Sequence, residues 1–218
     1  GGVSRRIVEL ASALVGHVQG GLAAVSILGC TFFAAISGST PATAAAIGNL
    51  TIPEMEKRGY DRSYAAAVVA AAACLGVIIP PSITMVIFGV TANVSIGKLL
   101  IGGILPGCFL SLLLLLTNHY MSGKLGYPTE ERHSWKERFK TLADASWGLM
   151  MPIIILGGIM SGVFTPTESS AIAVVYGLIV GFFVYRELTL KDLVPIFYKA
   201  SLNSAMIMLL IAAANPFG

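Results

Sequence analysis

The chain has 218 residues, of which 56% are hydrophobic and 11% charged, with a formal net charge of +3 and a mean hydropathy of +0.81. Soluble domains carry about 25% charged residues, so this composition excludes an ordinary soluble domain and implies an all-α, polytopic membrane protein. Nucleic-acid binding is unsupported, because no basic patch is interleaved with aromatics.

In chain order, residues 5–18 are amphipathic. Ile7, Val8, Leu10, Ala11 and Leu14 contrast with Arg5, Arg6, Glu9 and His17, the pattern of a helix lying in the membrane interface; residues 1–19 form this unit. Residues 20–36 are apolar and lead into Ser37-Gly38-Ser39-Thr40-Pro41, after which 42–54 reads as a second, shorter helix. Two short helices meeting at a polar tip predict a re-entrant hairpin over 20–56. Residues 63–90 read as one crossing interrupted at Pro80-Pro81. Proline removes a backbone donor and clashes with the preceding turn, and the residue before it avoids helical geometry, so two in succession unwind the helix. Residues 91–97 form an uncharged connection and 98–120 cross back, so 63–120 is a broken helix with its following span. Residues 121–147 form a polar loop carrying an amphipathic helix at 134–142. Two spans at 149–164 and 169–185 are separated by Thr165-Pro166-Thr167-Glu168, and 192–214 is the last; together they make a region over 148–218. Residues 110–116 are apolar on every face, as a lipid-exposed helix requires. The basic groups Lys57/Arg58/Arg62, Lys124 to Lys140 and Arg186/Lys191 all fall on one side in this topology, which should be cytoplasmic.

The two interruptions carry the functional expectation. Hydrocarbon offers no partner for freed backbone groups, so such breaks survive only inside protein or lining a cavity. Two of them about 40 residues apart point to a solute or ion site at mid-membrane depth. Hydroxyls and unwound carbonyls at Ser37, Gly38 and Ser39 are hard oxygen ligands suited to a hard cation. Helix N-terminal amides beside them suit an anion. The bland alternative is a Gly/Ser packing notch. Pro80-Pro81-Ser82-Ile83-Thr84 is the natural partner: unwinding frees the carbonyls of Val77, Ile78 and Ile79, and Ser82 either adds a hydroxyl or caps the next half-helix. The metal-ligand set is therefore Ser37, Gly38, Ser39, Ile79, Pro80, Pro81 and Ser82. The substrate set is Ser37, Thr40, Thr43, Ser82 and Thr84. Asn93, at the outer mouth, and Thr165, Thr167 and Glu168 are second-tier candidates, the last three equally readable as a helix cap. Asn203, Ser204 and Asn215 are expected to form interhelical hydrogen bonds.

Several absences narrow the class. Apart from Glu168, no carboxylate lies within a predicted span, whereas proton-driven carriers use an intramembrane acid or histidine relay; Na⁺ coupling through neutral oxygens fits better. No Walker motif, HExxH or GxSxG occurs, so neither an ATPase nor a membrane enzyme is expected. Cys30, Cys74 and Cys108 show neither CxxC nor metal-site spacing.

Gly-Gly-Val-Ser-Arg-Arg at the start, Ser-Gly-Ser-Thr-Pro-Ala-Thr at 37–43, Ile-Ile-Pro-Pro-Ser at 78–82 and Gly-Val-Phe-Thr-Pro-Thr-Glu-Ser at 162–169 resemble the large membrane subunit of tripartite ATP-independent periplasmic (TRAP) transporters. The resemblance implies an elevator-type, Na⁺-driven secondary transporter in the bacterial inner membrane. It has two inverted repeats, each with a hairpin and a broken helix. A small membrane subunit braces it, and a periplasmic binding protein delivers an organic acid such as a C4-dicarboxylate, sialic acid or another sugar acid; the 37–43 wording looks closest to dicarboxylate-type members. Carried over, Ser37–Ser39 with Thr40, Pro41, Ala42 and Thr43, facing Pro80–Ser82, would form one sodium site. Residues 148–218 would open an incomplete second repeat, whose hairpin and second sodium site would lie beyond this sequence. We read the chain as part of something longer, unable to transport alone. A passive channel and a non-transporting membrane scaffold are the rival readings.

Overall fold

A computed structural model describes residues 2–130 and 132–214. Among these, all regular structure is helical: α1 (Val3–Val15), α2 (Gly21–Ser37), α3 (Thr40–Lys57), α4 (Arg62–Ala73), α5 (Ile83–Thr91), α6 (Ile96–Leu125), α7 (Trp135–Met160), α8 (Pro166–Ile179) and α9 (Leu190–Ala214). The expected all-α membrane architecture is what the chain adopts. Three helical stretches among the described residues are long and apolar enough to cross a membrane: Ile96–Leu125, Trp135–Met160 and Pro166–Val184.

The helix starts follow the short polar residues that precede them. The Asp61 carboxylate accepts from the Ser63 and Tyr64 amides, Ser82 accepts from Met85, Ser95 from Lys98, and Ser134 forms a reciprocal capping box with Glu137. Each cap satisfies donors that the first helical turn leaves without an intrahelical partner. The amphipathic stretch at 134–142 and the apolar stretch at 149–164 are one continuous helix, α7, which carries Pro152 inside it.

The chain divides into two compact units, Gly2–Gly177 and the region from Leu178 onward. In the first, α2 is the central element. It packs against α1, α3, α4, α6 and α7, and seven successive residues from Gly21 to Ile27 are buried. Three core layers run along it from the hairpin's open end to its tip. Leu22 and Ala23 meet Met55, Tyr60, Ala65 and Tyr127. Ile27 and Cys30 meet Ile47 and Ala72. Ala34 meets Leu75 and Ile79. Alanines on the facing side of α4 (Ala65, Ala72 and Ala73, none of them exposed) permit the close backbone approach that membrane helix packing relies on. By contrast α6 directs Leu105, which is 80% exposed, together with Phe109 and Leu116, away from the protein. In water so apolar a face would be a liability; against lipid it is the expected surface. At about 1.5 Å per residue, α2 spans roughly 26 Å, a little less than the ~30 Å hydrocarbon core.

The second unit starts in the last turn of α8. A π-helical turn, Val180–Val184, closes with Tyr185 N donating to Val180 O at 2.8 Å. Gly181 O accepts from the Glu187 and Leu188 amides, both at 3.2 Å. The Thr189 amide and hydroxyl donate to Asp192 to begin α9. Asn203 and Ser204 are exposed on α9; Asn215 lies outside the described residues.

Candidate ion and substrate site at the hairpin tip

Helix α2 ends because Gly38 turns left-handed, with φ 59° and ψ 18°, while its N–H still donates to Ala34 O at 2.9 Å. Glycine takes this conformation without steric cost. Ser39 is extended (φ −142°, ψ 124°) and occupies the N-cap position of α3, and proline follows in the first turn, where its missing N–H costs nothing. The Ser39 hydroxyl makes no capping bond, although serine at this position usually caps. The Ser37 and Thr43 hydroxyls lie 2.8 Å apart. Ser37 Oγ is also 3.4 Å from both the amide nitrogen and the carbonyl oxygen of Ser39. Thr43 is fully buried and Ser37 partly so.

The second interruption begins as α4 tightens into a 3₁₀ turn, Cys74–Val77, and the chain is non-helical from Ile78 to Ser82, with a cis Pro80-Pro81 peptide. Ser82 is 1% exposed. Its hydroxyl donates to Val77 O at 2.9 Å and accepts from Met85 N at 3.4 Å. It therefore ties the end of one half-helix to the start of the other, the capping geometry that was one of its two expected roles.

The two interruptions meet. Ile83 N donates to Gly38 O at 3.2 Å. A Cβ on Gly38 would stand 2.5 Å from Pro81 O, and one on Gly76 would stand 2.8–2.9 Å from Ser39 C and O and Thr40 N. The tip is thus wedged between the 3₁₀ turn and the prolines, with no room for a side chain at either glycine. The C-terminus of α2, which presents carbonyls, converges with the N-termini of α3 and α5, which present amides. Negative and positive partial charges therefore lie side by side. The polar atoms contributed by Ser37, Gly38, Ser39, Thr43 and Ser82 are neutral oxygens, and no cluster of three His, Cys, Asp or Glu residues exists among the described residues. Neutral hydroxyl and carbonyl oxygens fit a small hard cation and not a thiolate- or imidazole-seeking metal.

The whole chain, residues 1–218, matches the family model described as "Tripartite ATP-independent periplasmic transporter, DctM component". The chain belongs to the DctM family. Among relatives, the isethionate TRAP transporter permease protein DctMQ of Oleidesulfovibrio alaskensis is 48% identical over 219 residues, covering 100% of this chain and 34% of that protein. The C4-dicarboxylate TRAP transporter large permease protein DctM of Pseudomonas aeruginosa is 42% identical over 217 residues, covering 100% and 51%. The sialic acid TRAP transporter permease protein SiaT of Haemophilus influenzae is 38% identical over 218 residues, covering 100% and 35%. The chain therefore spans about a third to a half of the length of these curated relatives. Membership of the DctM family and the membrane-length helices make it a multi-pass protein of the bacterial inner membrane.

The remaining candidates lie elsewhere in this DctM chain. Thr84 and Asn93 are exposed, on α5 and in the turn after it, and Asn93 has a positive φ of 53°. The Thr165 amide and hydroxyl both donate to Glu168 Oε2 at 2.8 Å, and Glu168 N donates back to Thr165 Oγ1 at 3.3 Å. This is the capping-box arrangement, and it occupies both residues. Thr167 is exposed in the first turn of α8.

Sequence reasoning missed a second polar constellation at the opposite, open end of the hairpin. Tyr64 Oη donates to Asn118 Oδ1 at 2.9 Å and lies 3.3 Å from Ser122 Oγ. Asn118 Nδ2 donates to Gly20 O at 3.3 Å, and Ser122 Oγ to Asn118 Oδ1 at 3.1 Å. Tyr60 and Tyr127 stack with centroids 4.2 Å apart. Gln19 Nε2 reaches Tyr127 O at 2.7 Å. Burial, opposed by backbone hydrogen bonds from Leu22 and Ala23, pushes the Tyr60 hydroxyl up to about 12. The readable sign was Asn118 and Ser122 one helical turn apart near the polar end of α6, with Tyr64 in the first turn of α4 and Tyr60 just before it at the same spacing.

Proposed function

We propose that this chain forms the first half of the transport machinery of an Na⁺-coupled importer of small organic anions. The observation that carries the reading is the Ile83 N–Gly38 O hydrogen bond, which holds the hairpin tip and the broken helix as one unit. Na⁺ would sit among the oxygens of Ser37, Gly38, Ser39 and Thr43 and the carbonyls of 78–81, Ile79 included. The anion would face the amide ends of α3 and α5, with Thr40, Ser82 and Thr84 near its carboxylate. Cation binding lowers the cost of placing the anion there, and the coupling is reciprocal. A solute bound at such a tip moves with the unit that holds it, which agrees with an elevator-type motion. The small membrane subunit and the periplasmic binding protein implied by the resemblance complete the system. The substrate class is a small organic acid: relatives are named for C4-dicarboxylate, sialic acid and isethionate, the last a sulfonate, so a compact oxyanion headgroup is their shared feature. C4-dicarboxylate remains the first candidate.

The test uses the full-length transporter with its partner proteins in proteoliposomes. An inward Na⁺ gradient should drive accumulation of C4-dicarboxylate delivered by the binding protein, whereas a proton gradient alone should not. Accumulation driven equally by protons, or non-saturating flux without any gradient dependence, would overturn the reading.

A further inference from the structure

The amphipathic helix α1 is packed on other helices of its unit. It packs along the start of α7 and against α2, burying Ile7, Leu10, Ala11 and Ala13. Between α1 and α7 the structure leaves a cavity of about 190 Å³ lined by Leu10, Leu14, Trp135, Arg138, Phe139 and Leu142. Five of these six side chains are apolar, and Trp135 and Phe139 are 74% and 67% exposed. The sixth, Arg138, lies beside the Trp135 ring, with Cζ 5.2 Å from its centroid. Its Nε is buried without a hydrogen-bond partner, as is Nδ1 of His17 in the turn after α1. Arg132 and Arg138 both lie close enough to His17 to oppose its protonation, after burial, the larger cause. Of the described carboxylates of the same loop, Glu130 is committed to Ser12 and Arg58, and Glu137 to the Ser134 cap and His133.

We propose that this junction binds an anionic phospholipid, with the headgroup phosphate held by Arg132, Arg138 and His17 and one acyl chain in the apolar cavity. The two halves of the site match the two halves of such a molecule, and Arg138 belongs to both. Guanidinium is the side chain best shaped for bidentate phosphate contact. Trp135 opens α7, a helix long and apolar enough to cross a membrane, and aromatic residues are enriched at the membrane–water boundary. The loop carries the basic residues predicted to face the cytoplasm, the leaflet whose anionic lipids attract juxtamembrane lysine and arginine. The inference does not depend on the transport reading.

Native mass spectrometry of the purified full-length transporter, titrated with phosphatidylglycerol and, separately, phosphatidylcholine, tests it. Phosphatidylglycerol should bind in preference. The double substitution Arg132→Gln/Arg138→Gln should weaken that binding by on the order of tenfold to thirtyfold, the effect of two interfacial charges. Lys191→Gln/Lys199→Gln, which removes the same charge from α9, should leave it unchanged. Leu14→Trp, which fills the cavity and removes no charge, should also weaken phosphatidylglycerol binding. Inorganic phosphate should not displace the lipid. Equal weakening by the two double variants, full binding in the Leu14→Trp protein, or displacement by phosphate alone would each overturn the proposal.

Discussion

The two ends of the α2–α3 hairpin are built from similar residue types and do opposite things with them. At the open end, Tyr64, Asn118 and Ser122 bond to one another and to Gly20 O, closing a polar network. At the tip, Ser37 and Thr43 pair with each other, the Ser39 hydroxyl makes no cap, and the residues before Ser82 leave helical geometry. A closed network is how a membrane protein fixes helices in place. Open oxygens inside lipid are tolerated where a solute or ion completes them. Where the bonds run thus separates framework from site better than polarity does: the open-end bonds tie α4, α6 and Gly20 together, whereas the tip hydroxyls bond within the tip.

The sharpest way to break this comparison is to crowd the two glycines. Gly38→Ala puts a methyl 2.5 Å from Pro81 O on a left-handed backbone. It should push the tip off the broken helix and reduce Na⁺-dependent uptake by the full transporter at least tenfold, beyond what the accompanying loss of thermal stability explains. Gly20→Ala drives a methyl into the Ser122 side chain, also on a left-handed backbone. It should lower stability with no comparable loss of uptake in the folded protein: overpacking costs about 1–3 kcal/mol and the backbone about 1–2 more, read as a lower midpoint in a detergent melt. If both substitutions act alike on uptake and on stability, the two ends are not functionally distinct.

Asn118→Leu is gentler. It leaves Gly20 O and the Tyr64 hydroxyl without Asn118, and interhelical hydrogen bonds in membranes contribute roughly 0.6–2 kcal/mol. The melt should shift by that amount, while the Na⁺ concentration for half-maximal uptake stays the same.

The smallest effect is a pH dependence at the start of α4. Hydrogen bonds from the Ser63 hydroxyl and from the Tyr64 and Ser63 amides hold the exposed Asp61 carboxyl below its ordinary 3.8. A depressed folded-state value means that this cap is complete above the ordinary value and is lost as the pH falls through the lowered one. Asp61→Asn should flatten stability in that acid window alone, and a profile identical to the wild type would remove Asp61 from the account.

How much of this was legible in the residues differs between the two ends. The tip was readable because doubled proline and Ser-Gly-Ser-Thr-Pro are local signals: each breaks a helix wherever it stands. That the two breaks touch was only an expectation, since sequence carries no distance. The Ser82 hydroxyl had two readings that only its bond to Val77 O separates. The open-end network was missed for a different reason. Tyr64 on α4 and its partners Asn118 and Ser122 on α6 are 54 or more positions apart, and their i,i+4 spacing says only that each pair shares a helix face, not that the two faces meet. The capping box at Thr165–Glu168 was legible as one of two readings, because the i,i+3 spacing is itself the signal.

The central claim is that the tip oxygens, docked on the broken helix, bind the coupling cation. The most direct measurement is the Na⁺ titration of uptake by the full transporter carrying Ser37→Ala together with Thr43→Val, which removes both paired hydroxyls and keeps the size of each side chain close. A severalfold higher Na⁺ concentration for half-maximal uptake, with the melting midpoint nearly unchanged, is the predicted result. An unchanged Na⁺ requirement in a protein that still folds and transports would contradict the claim.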